Sequence, residues 1–443
     1  MYQVRASTTD TGNRLAEVSA GALLIAAMAF GGGSRGIGDA IVTLFALPVA
    51  LFACARWSWR TQSTLQRCAA LLLIAAAVWH VVQLIPLPAS VITRLPMRAA
   101  VLADLRVAGA EPAWLPATLD TWGILRSLMA LLVFGALWSL LCTLTSGSRL
   151  RLMKLVVVAG CAMALLGYAQ AAAGTRSLLR PYDYHHAIGA LGTFANRNHF
   201  ACLMAMLVPV ALALAAQGRK NQRLEATLWH ASAVLLLLAA GLSFSRTGFV
   251  LACMAALVSL LSISAKRKRT VIGAALLVLA GAGLISIYAW NGLSARLQQD
   301  PLQDLRWQYL RYGWEAAMAY FPWGSGPGSF RYAYAPFEPL SRMVNVYALH
   351  AHNDFIEIAV ESGLPGILLI SAVIVLLVIA LRRRFVAGGD RPPIVIGSAI
   401  SVVVPTLHSL VDYPMRTYAV MAVCALVSSV VLSAAGRSSD RGG

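Results

Sequence analysis

The sequence predicts an all-α polytopic membrane protein with about 12 membrane-spanning helices, folded as a single integral membrane domain over residues 1–443. Hydrophobic residues make up 59% of the chain and charged residues only 12%, which is far more apolar than a soluble domain. The apolar runs continue for about 18 to 22 residues without the alternation of a β-barrel, the length at which a helix crosses the hydrocarbon core. Because a helix satisfies its own backbone polar groups, a helical bundle is expected.

Twelve apolar runs of similar length divide the chain into predicted spans. The first six are residues 17–33, 37–55, 68–84, 122–144, 153–173 and 199–217. The other six are residues 228–242, 248–263, 271–290, 364–381, 393–410 and 418–435. An even number of spans places both termini on the same side of the membrane.

The net charge of +18 is explained by topology. Lysine and arginine concentrate in alternate short connections, and the positive-inside rule makes these connections and both termini cytoplasmic. The residues are Arg56, Arg60, Arg67, Arg149, Arg151, Lys154, Arg219, Lys220, Arg223, Lys266, Arg267, Lys268, Arg269, Arg382, Arg383, Arg384 and Arg391. We therefore expect the lipid bilayer, and no nucleic acid, as a partner.

The longer connections fall on the opposite, outward side. The largest is a loop over residues 291–352 between the ninth and tenth predicted helices, for which we expect short helices that carry part of an active site. This loop ends in the polar stretch LHAHNDFIEIAVESGLPG, residues 349–366, directly before an apolar run. Polar groups at the mouth of a spanning helix are costly to bury, so the stretch is a candidate site.

Two histidines and an amide lead into three carboxylates within this stretch. Asp354, Glu357 and Glu361 would share one face of a helix, either as a solvated helix entrance or as groups that orient the site. His352 is suited to take a proton from an attacking hydroxyl, since a histidine titrates near neutral pH. Four further residues could support His352: the second histidine of the stretch, His350, and also Asn353, His408 and Asp412.

Arginines recur in the outward connections, where the positive-inside rule predicts few. They are Arg197, Arg246, Arg306, Arg311 and Arg416. An arginine at a membrane boundary is expensive unless it meets an anion, and several guanidiniums together can hold a pyrophosphate. For Asp412 and His408, pairing with this site and capping of a helix both remain open.

Motifs for binding a metal or ATP are absent from the sequence, which narrows the reactions that the site could catalyse. The outward loops contain no closely spaced aspartates for a divalent metal, and no phosphate-binding loop for ATP is present. The seven cysteines lie within or at the ends of apolar runs without zinc-ligand spacing. We therefore expect neither a metal nor another cofactor, and a lipid-linked pyrophosphate sugar as donor.

The outward motifs together resemble one family. His352-Asn353, followed by Gly363 and Gly366, matches the histidine-centred pattern of the O-antigen ligase and polymerase superfamily. The supporting motifs follow in the order QLIPLP, GTFANRNHFA, SFSRTGF, RYGWEAAMAYFPWGSGPGSF and HSLVDYPMR.

This resemblance implies a GT-C-like membrane fold and a metal-independent, inverting glycosyltransferase. Such an enzyme moves a glycan from undecaprenyl pyrophosphate, at the periplasmic face of the bacterial inner membrane, to an acceptor that in ligases is the lipid A-core. By the same resemblance His352 is the base, and Arg246 and Arg311 hold the donor pyrophosphate, with Arg306 as a near alternative to Arg311 and Arg197 as a further contact.

Three alternatives remain open from the sequence. A polymerase that adds repeat units, or a protein O-oligosaccharyltransferase, would use similar chemistry on a different acceptor. A secondary transporter could also have 12 spans. It would carry ionisable residues near the membrane midplane and repeated halves, whereas here the polar residues gather on one side.

Overall fold

A computed structural model describes residues 2–33, 36–175, 177–182, 189–217, 223–263, 283, 305–342, 347–386 and 392–436. The elements of the first half are α1 (Tyr2–Phe30), α2 (Gly36–Arg56), α3 (Thr64–Leu84), β1 (Pro86–Pro88), α4 (Ala89–Ile92), α5 (Arg98–Val107), β2 (Trp114–Pro116), α6 (Thr121–Thr143) and α7 (Ser146–Ala173). Those of the second half are α8 (Arg197–Gln217), α9 (Arg223–Leu242), α10 (Arg246–Ile263), α11 (Leu305–Ala319), α12 (Phe330–Tyr334), α13 (Asp354–Val386), α14 (Pro393–His408) and α15 (Tyr418–Gly436).

The helices agree with the predicted spans wherever the two can be compared. Within the described residues, nine helices are long and apolar enough to cross a membrane: α1 to α3, α6 to α10 and α13. Helices α14 and α15 are also apolar but shorter. Every predicted span except the ninth coincides with one of these helices, and all of the ninth, residues 271–290, lies outside the described residues apart from residue 283. The protein is thus a helical polytopic membrane protein, while the exact number of crossings stays a prediction.

Helix α8 forms the centre of the bundle. In the most apolar stretch of this helix, 94% of the residues are buried. After Arg197 it carries no charged side chain and is apolar on all sides, which is typical of a helix inside a bundle. Small residues let its neighbours approach closely: a Cβ added at Gly248 of α10 would lie 2.3 Å from the Cβ of Ala201. The first turns of α8 and α10 are therefore held against each other.

Basic residues gather at one end of the bundle, as the positive-inside reading requires. Arg151 pairs with Glu17, and Lys154 Nζ lies 2.6 Å from Glu225 Oε1. The start of α3 is at this end too, where Gln66 donates to Ser433 Oγ at 2.9 Å. The other end of α3 contacts the connection that precedes α13, where the candidate site lies. The basic clusters and the candidate site are therefore at opposite ends of the helices.

At the site's end, residues 85–120 form a small folded unit rather than helices alone. β1 pairs antiparallel with β2, with Pro86 opposite Pro116, and α4 and α5 lie between the two strands in the chain. Arg98 is buried and donates to the carbonyl oxygens of Ala117 (2.8 Å) and Gly324 (3.1 Å). Burial lowers the pKa of Arg98 to about 10, so it remains charged at neutral pH while it ties this unit to the loop at Gly324.

The polar stretch and the apolar run that follows it belong to one bent helix, α13. The bend occurs at Gly363, which has φ +56° and ψ −146°. A Cβ at this position would lie 2.2 Å from the carbonyl oxygen of Pro322, and the same oxygen accepts from Leu364 N at 2.8 Å. Only glycine fits here, because the backbone is left-handed and another chain segment fills the bend.

Candidate active site

His352 stands at the entrance of α13 in an uncommon backbone conformation, with φ +49°. The next residue, Asn353, caps the helix: its Oδ1 accepts from Phe355 N at 3.0 Å and from Ile356 N at 3.1 Å. Its Nδ2 donates to the carbonyl oxygen of Leu410 at 2.8 Å. Asn353 thus fixes the chain around His352 and joins it to the turn that follows α14.

That turn supplies the carboxylate that faces the histidine. Nδ1 of His352 lies 3.3 Å from Oδ1 of the fully buried Asp412, an ion-pair contact whose angle falls short of a good hydrogen bond. The histidine side chain is 28% exposed. A carboxylate at Nδ1 orients the ring and leaves Nε2 for chemistry.

Asp412 also collects donors from two other elements. His199 Nε2 of α8 lies 3.6 Å from Oδ1, and Arg306 of α11 lies 3.6 Å from Oδ2. Asn198 donates a short hydrogen bond to Oδ2, and Tyr413 N donates to Oδ1 at 3.0 Å. Burial raises the pKa of Asp412, but its contacts with His199 and His352 outweigh burial and hold that pKa well below its usual range. The residue is therefore a permanent negative charge.

Two tyrosines flank the His352 ring. Tyr309 of α11 stacks on it with a centroid distance of 5.6 Å and an interplanar angle of 12°. Tyr413 contacts it edge-on at 5.0 Å and 72°. Such contacts fix the orientation of an aromatic ring beyond what its burial alone does. Sequence reasoning missed both tyrosines; for Tyr413, its position next to Asp412 was the available signal.

His350 has a carboxylate of its own. Its Nδ1 lies 2.7 Å from Oε1 of Glu357, whose Oε2 accepts from Ala351 N at 2.9 Å. The His350 ring lies 4.1 Å from the Tyr413 ring, centroid to centroid, and its side chain is 31% exposed. The two histidines of the HAH segment are thus built alike, each with Nδ1 held by a buried carboxylate and each against Tyr413.

Arg416 gathers the three carboxylates of α13. Its guanidinium lies 3.6 Å from Asp354 Oδ1, 3.2 Å from Glu357 Oε1 and 3.0 Å from Glu361 Oε2. The three acids are 6%, 0% and 3% exposed, so the expectation of a solvated helix entrance is wrong, whereas their predicted shared face is confirmed.

Burial lowers the pKa of Arg416, but the three carboxylates outweigh burial and raise it. Arg416 therefore already has its anions within the protein. It needs no external anion to justify its position.

The two candidate arginines of α11 lie on different faces of that helix. Arg306 reaches Asp412 and shares a side with Tyr309, three residues later, which stacks on His352. The side chain of Arg311 is 74% exposed and pairs with Glu315 at 3.4 Å. The structure therefore brings Arg306, and not Arg311, to the histidine.

Arg197 and Arg246 begin two capped helices. Asn196 Oδ1 accepts from Asn198 N at 2.8 Å at the start of α8, and Ser245 Oγ accepts from Gly248 N at 3.3 Å at the start of α10. Arg197 is half-buried beside the Asp412 network. Arg246 is exposed and forms no ion pair with another residue of the described ranges.

His408 is buried at the end of α14, and its backbone oxygen accepts from Asp412 N at 3.0 Å. Its Nδ1 makes no hydrogen bond to any described residue. Its position supports the turn that carries Asp412. For Asp412 itself, pairing with the site is the reading that the geometry supports.

Across the residues that the structure describes, no group of three or more histidine, cysteine, aspartate or glutamate side chains is arranged to hold a metal ion. The guanidinium of Arg306 and the ring of His199 both approach Asp412, the carboxylate that faces His352.

Comparison with known proteins gives one family. No curated protein matches the chain. Residues 231–371 match the family model described as O-Antigen ligase, a range that includes Arg246, Arg306, His350 and His352. Asp412 and Arg416 lie beyond the matched residues. This match covers about a third of the chain, and that part of the chain is similar to the O-antigen ligase family.

Proposed function

We propose that this protein transfers O-antigen polysaccharide from undecaprenyl pyrophosphate to the lipid A-core oligosaccharide at the periplasmic face of the bacterial inner membrane. The observation that carries the proposal is the partly exposed His352, whose Nδ1 faces the buried Asp412 while Arg306 lies on the same carboxylate. A base and a cation are thereby set side by side. This pairing is what displacement of a pyrophosphate by a hydroxyl requires.

In the proposed reaction the acceptor hydroxyl binds at Nε2 of His352. As the hydroxyl oxygen attacks the anomeric carbon, Nε2 takes its proton, and Asp412 stabilises the imidazolium that forms. The bond from the anomeric carbon to the pyrophosphate oxygen breaks, and its electron pair leaves with undecaprenyl pyrophosphate. Attack from the side opposite the leaving group inverts the configuration.

The donor pyrophosphate is assigned to Arg306, Arg197 and Arg246. Each guanidinium can bond two phosphate oxygens, and the first turns of α8 and α10 add the positive ends of two helix dipoles. Because those two turns pack together through Gly248 and Ala201, Arg197 and Arg246 lie at one end of a shared helix pair. Arg311 is assigned a lesser role, since its partner is Glu315. In this mechanism guanidiniums balance the phosphate charge and no metal is needed.

The decisive experiment separates ligation from polymerisation in a strain that lacks the gene. Polymer that accumulates on the undecaprenyl carrier, together with bare lipid A-core, would support the ligase. Lipopolysaccharide capped with a single repeat unit would identify a polymerase instead. Normal lipopolysaccharide combined with loss of glycan from a surface protein would identify a protein O-oligosaccharyltransferase.

A further inference from the structure

His350 is built like the proposed base but is left without a role in the reaction as described. Its Nδ1 is held by Glu357 at 2.7 Å, a closer contact than the 3.3 Å between His352 and Asp412. About a third of its side chain is exposed, similar to His352. Both rings lie against Tyr413. The loop therefore presents two oriented histidines to the same surroundings.

The charges around the two histidines differ. Asp412 is shared by His352, His199 and Arg306, so negative charge is scarce there. Around His350 three buried carboxylates meet a single guanidinium, that of Arg416. Burial raises the pKa of Asp354 to about 7 and also raises that of Glu361. Glu357 is buried too, but Arg416 and His350 lower its pKa, so it is the ionised carboxylate beside His350.

The groups that face His350 come from two elements. Helix α13 contributes Glu357 at Nδ1 and the nearby Asp354, and the turn after α14 contributes Arg416 and the Tyr413 ring. Oε1 of Glu357 is shared by two groups: His350 Nδ1 lies 2.7 Å from it and the Arg416 guanidinium lies 3.2 Å from it. The ionised group nearest to the ring is therefore a carboxylate, which holds Nδ1 and leaves Nε2 free.

We infer that His350 is the proton donor to the leaving group: its imidazolium gives the Nε2 proton to the pyrophosphate oxygen released from the anomeric carbon. This inference rests on the proposed glycosyl transfer. The protons balance, because His352 gains the acceptor's proton while His350 loses one to the leaving pyrophosphate. Since both rings are partly exposed, exchange with water returns each to its starting state.

An acid and a base that act together predict a bell-shaped dependence of kcat on pH. The acid-side limb reports the base, and the alkaline limb reports loss of the His350 proton. Both are measured with purified protein, an undecaprenyl-pyrophosphate glycan and lipid A-core. In His350→Gln we expect kcat to fall about 100-fold or more and the alkaline limb to vanish, with the acid-side limb kept.

A second variant tests the same idea with the ring in place. Glu357→Gln keeps the shape of the side chain but removes the charge that holds the imidazolium, so we expect the alkaline limb to move to lower pH. His230→Gln is the matched control, since His230 is exposed on α9 among the basic connections and its Nδ1 contacts only Ala226 O in the described chain. It should leave the profile unchanged.

The outcomes separate the two proposals. An unchanged alkaline limb in both variants, or kcat within about twofold of wild type in His350→Gln, overturns the role of His350 while glycosyl transfer stands. Absence of transfer by the wild-type protein, with folded protein and authentic donor, counts against the proposed function itself. A His350→Gln protein that fails to fold leaves the decision to Glu357→Gln.

Discussion

His352 Nδ1 lies 3.3 Å from Oδ1 of Asp412, so the histidine at the start of α13 is oriented by a carboxylate from the turn after α14. The polar stretch that opens α13 therefore needs the turn between the last two helices to complete it. That turn also carries Tyr413 and Arg416, which contact the same stretch. One short connection thus supplies the carboxylate that faces His352 and the tyrosine that contacts both histidines.

Replacement of His352 by alanine should abolish transfer. A positioned general base contributes about 10²- to 10⁴-fold, and no other described ring shares its contact with Asp412 from the exposed side. Transfer of glycan to lipid A-core is measured with the purified variant, and donor binding is measured separately by thermal shift. Binding should persist. Normal lipopolysaccharide ladders from cells with only His352→Ala would remove this residue from the mechanism.

Asp412→Asn should lower kcat with little change in donor KM, because the amide retains the shape of the side chain but cannot stabilise an imidazolium. The variant also tests the charge of the buried group. Since the pKa of Asp412 is depressed in the folded protein, its stabilising contribution is present above the unfolded carboxylate value of about 3.9 and is lost as pH falls through the lower folded value.

Thermal unfolding of the detergent-solubilised protein checks this second expectation. The wild type should lose stability below about pH 4, whereas Asp412→Asn should start from a lower midpoint at neutral pH and lose less on acidification. Parallel pH curves for the two proteins would contradict a native carboxylate at this position.

Arg306→Ala should reduce transfer more than Arg311→Ala does. Arg306 forms an ion pair with Asp412, the carboxylate that faces His352, whereas Arg311 is exposed and paired with Glu315. Arg306→Lys should recover little, because an ammonium lacks the planar fork that binds two phosphate oxygens. Kinetics of both alanine variants over a range of donor concentration decide the order. The reverse order would return the pyrophosphate contact to Arg311.

Arg416→Met should destabilise the fold by about 3–5 kcal/mol, the typical cost of removing one partner from a buried ion pair. The loss should be large because three buried carboxylates would be left without their guanidinium. Arg106→Met is the control: Arg106 is exposed and lies 4.0 Å from the exposed Glu111, a pair worth about 0–1 kcal/mol. Equal unfolding midpoints for the two variants would show that the cluster is not a source of stability.

Much of the fold could be predicted because membrane helices leave a local record in the sequence. Continuous apolar runs gave the spans, and the spacing of Asp354, Glu357 and Glu361 gave their common face. The backbone conformation at Gly363 could not be predicted, because the carbonyl oxygen of Pro322, which fills the space beside it, comes from another part of the chain.

The partners within the site were harder to predict than its members. His352 was identified from its neighbours, but its carboxylate lies beyond two intervening helices, and no local pattern links His352 to Asp412. The choice between Arg306 and Arg311 depended on which face of α11 meets the site. From the sequence, Arg416 was expected to need an external anion. In the folded protein the acids of α13 are its partners instead.

The bend in α13 sets the depth of the site. After the bend, residues 364–386 form a helix about 35 Å long, while the hydrocarbon of a bilayer is about 30 Å thick. This segment is long enough to cross the hydrocarbon by itself, which leaves the polar turns before the bend near the depth where membrane lipids hold their phosphates. A donor anchored by a polyprenyl chain would offer its pyrophosphate at that level while its chain stayed in the bilayer.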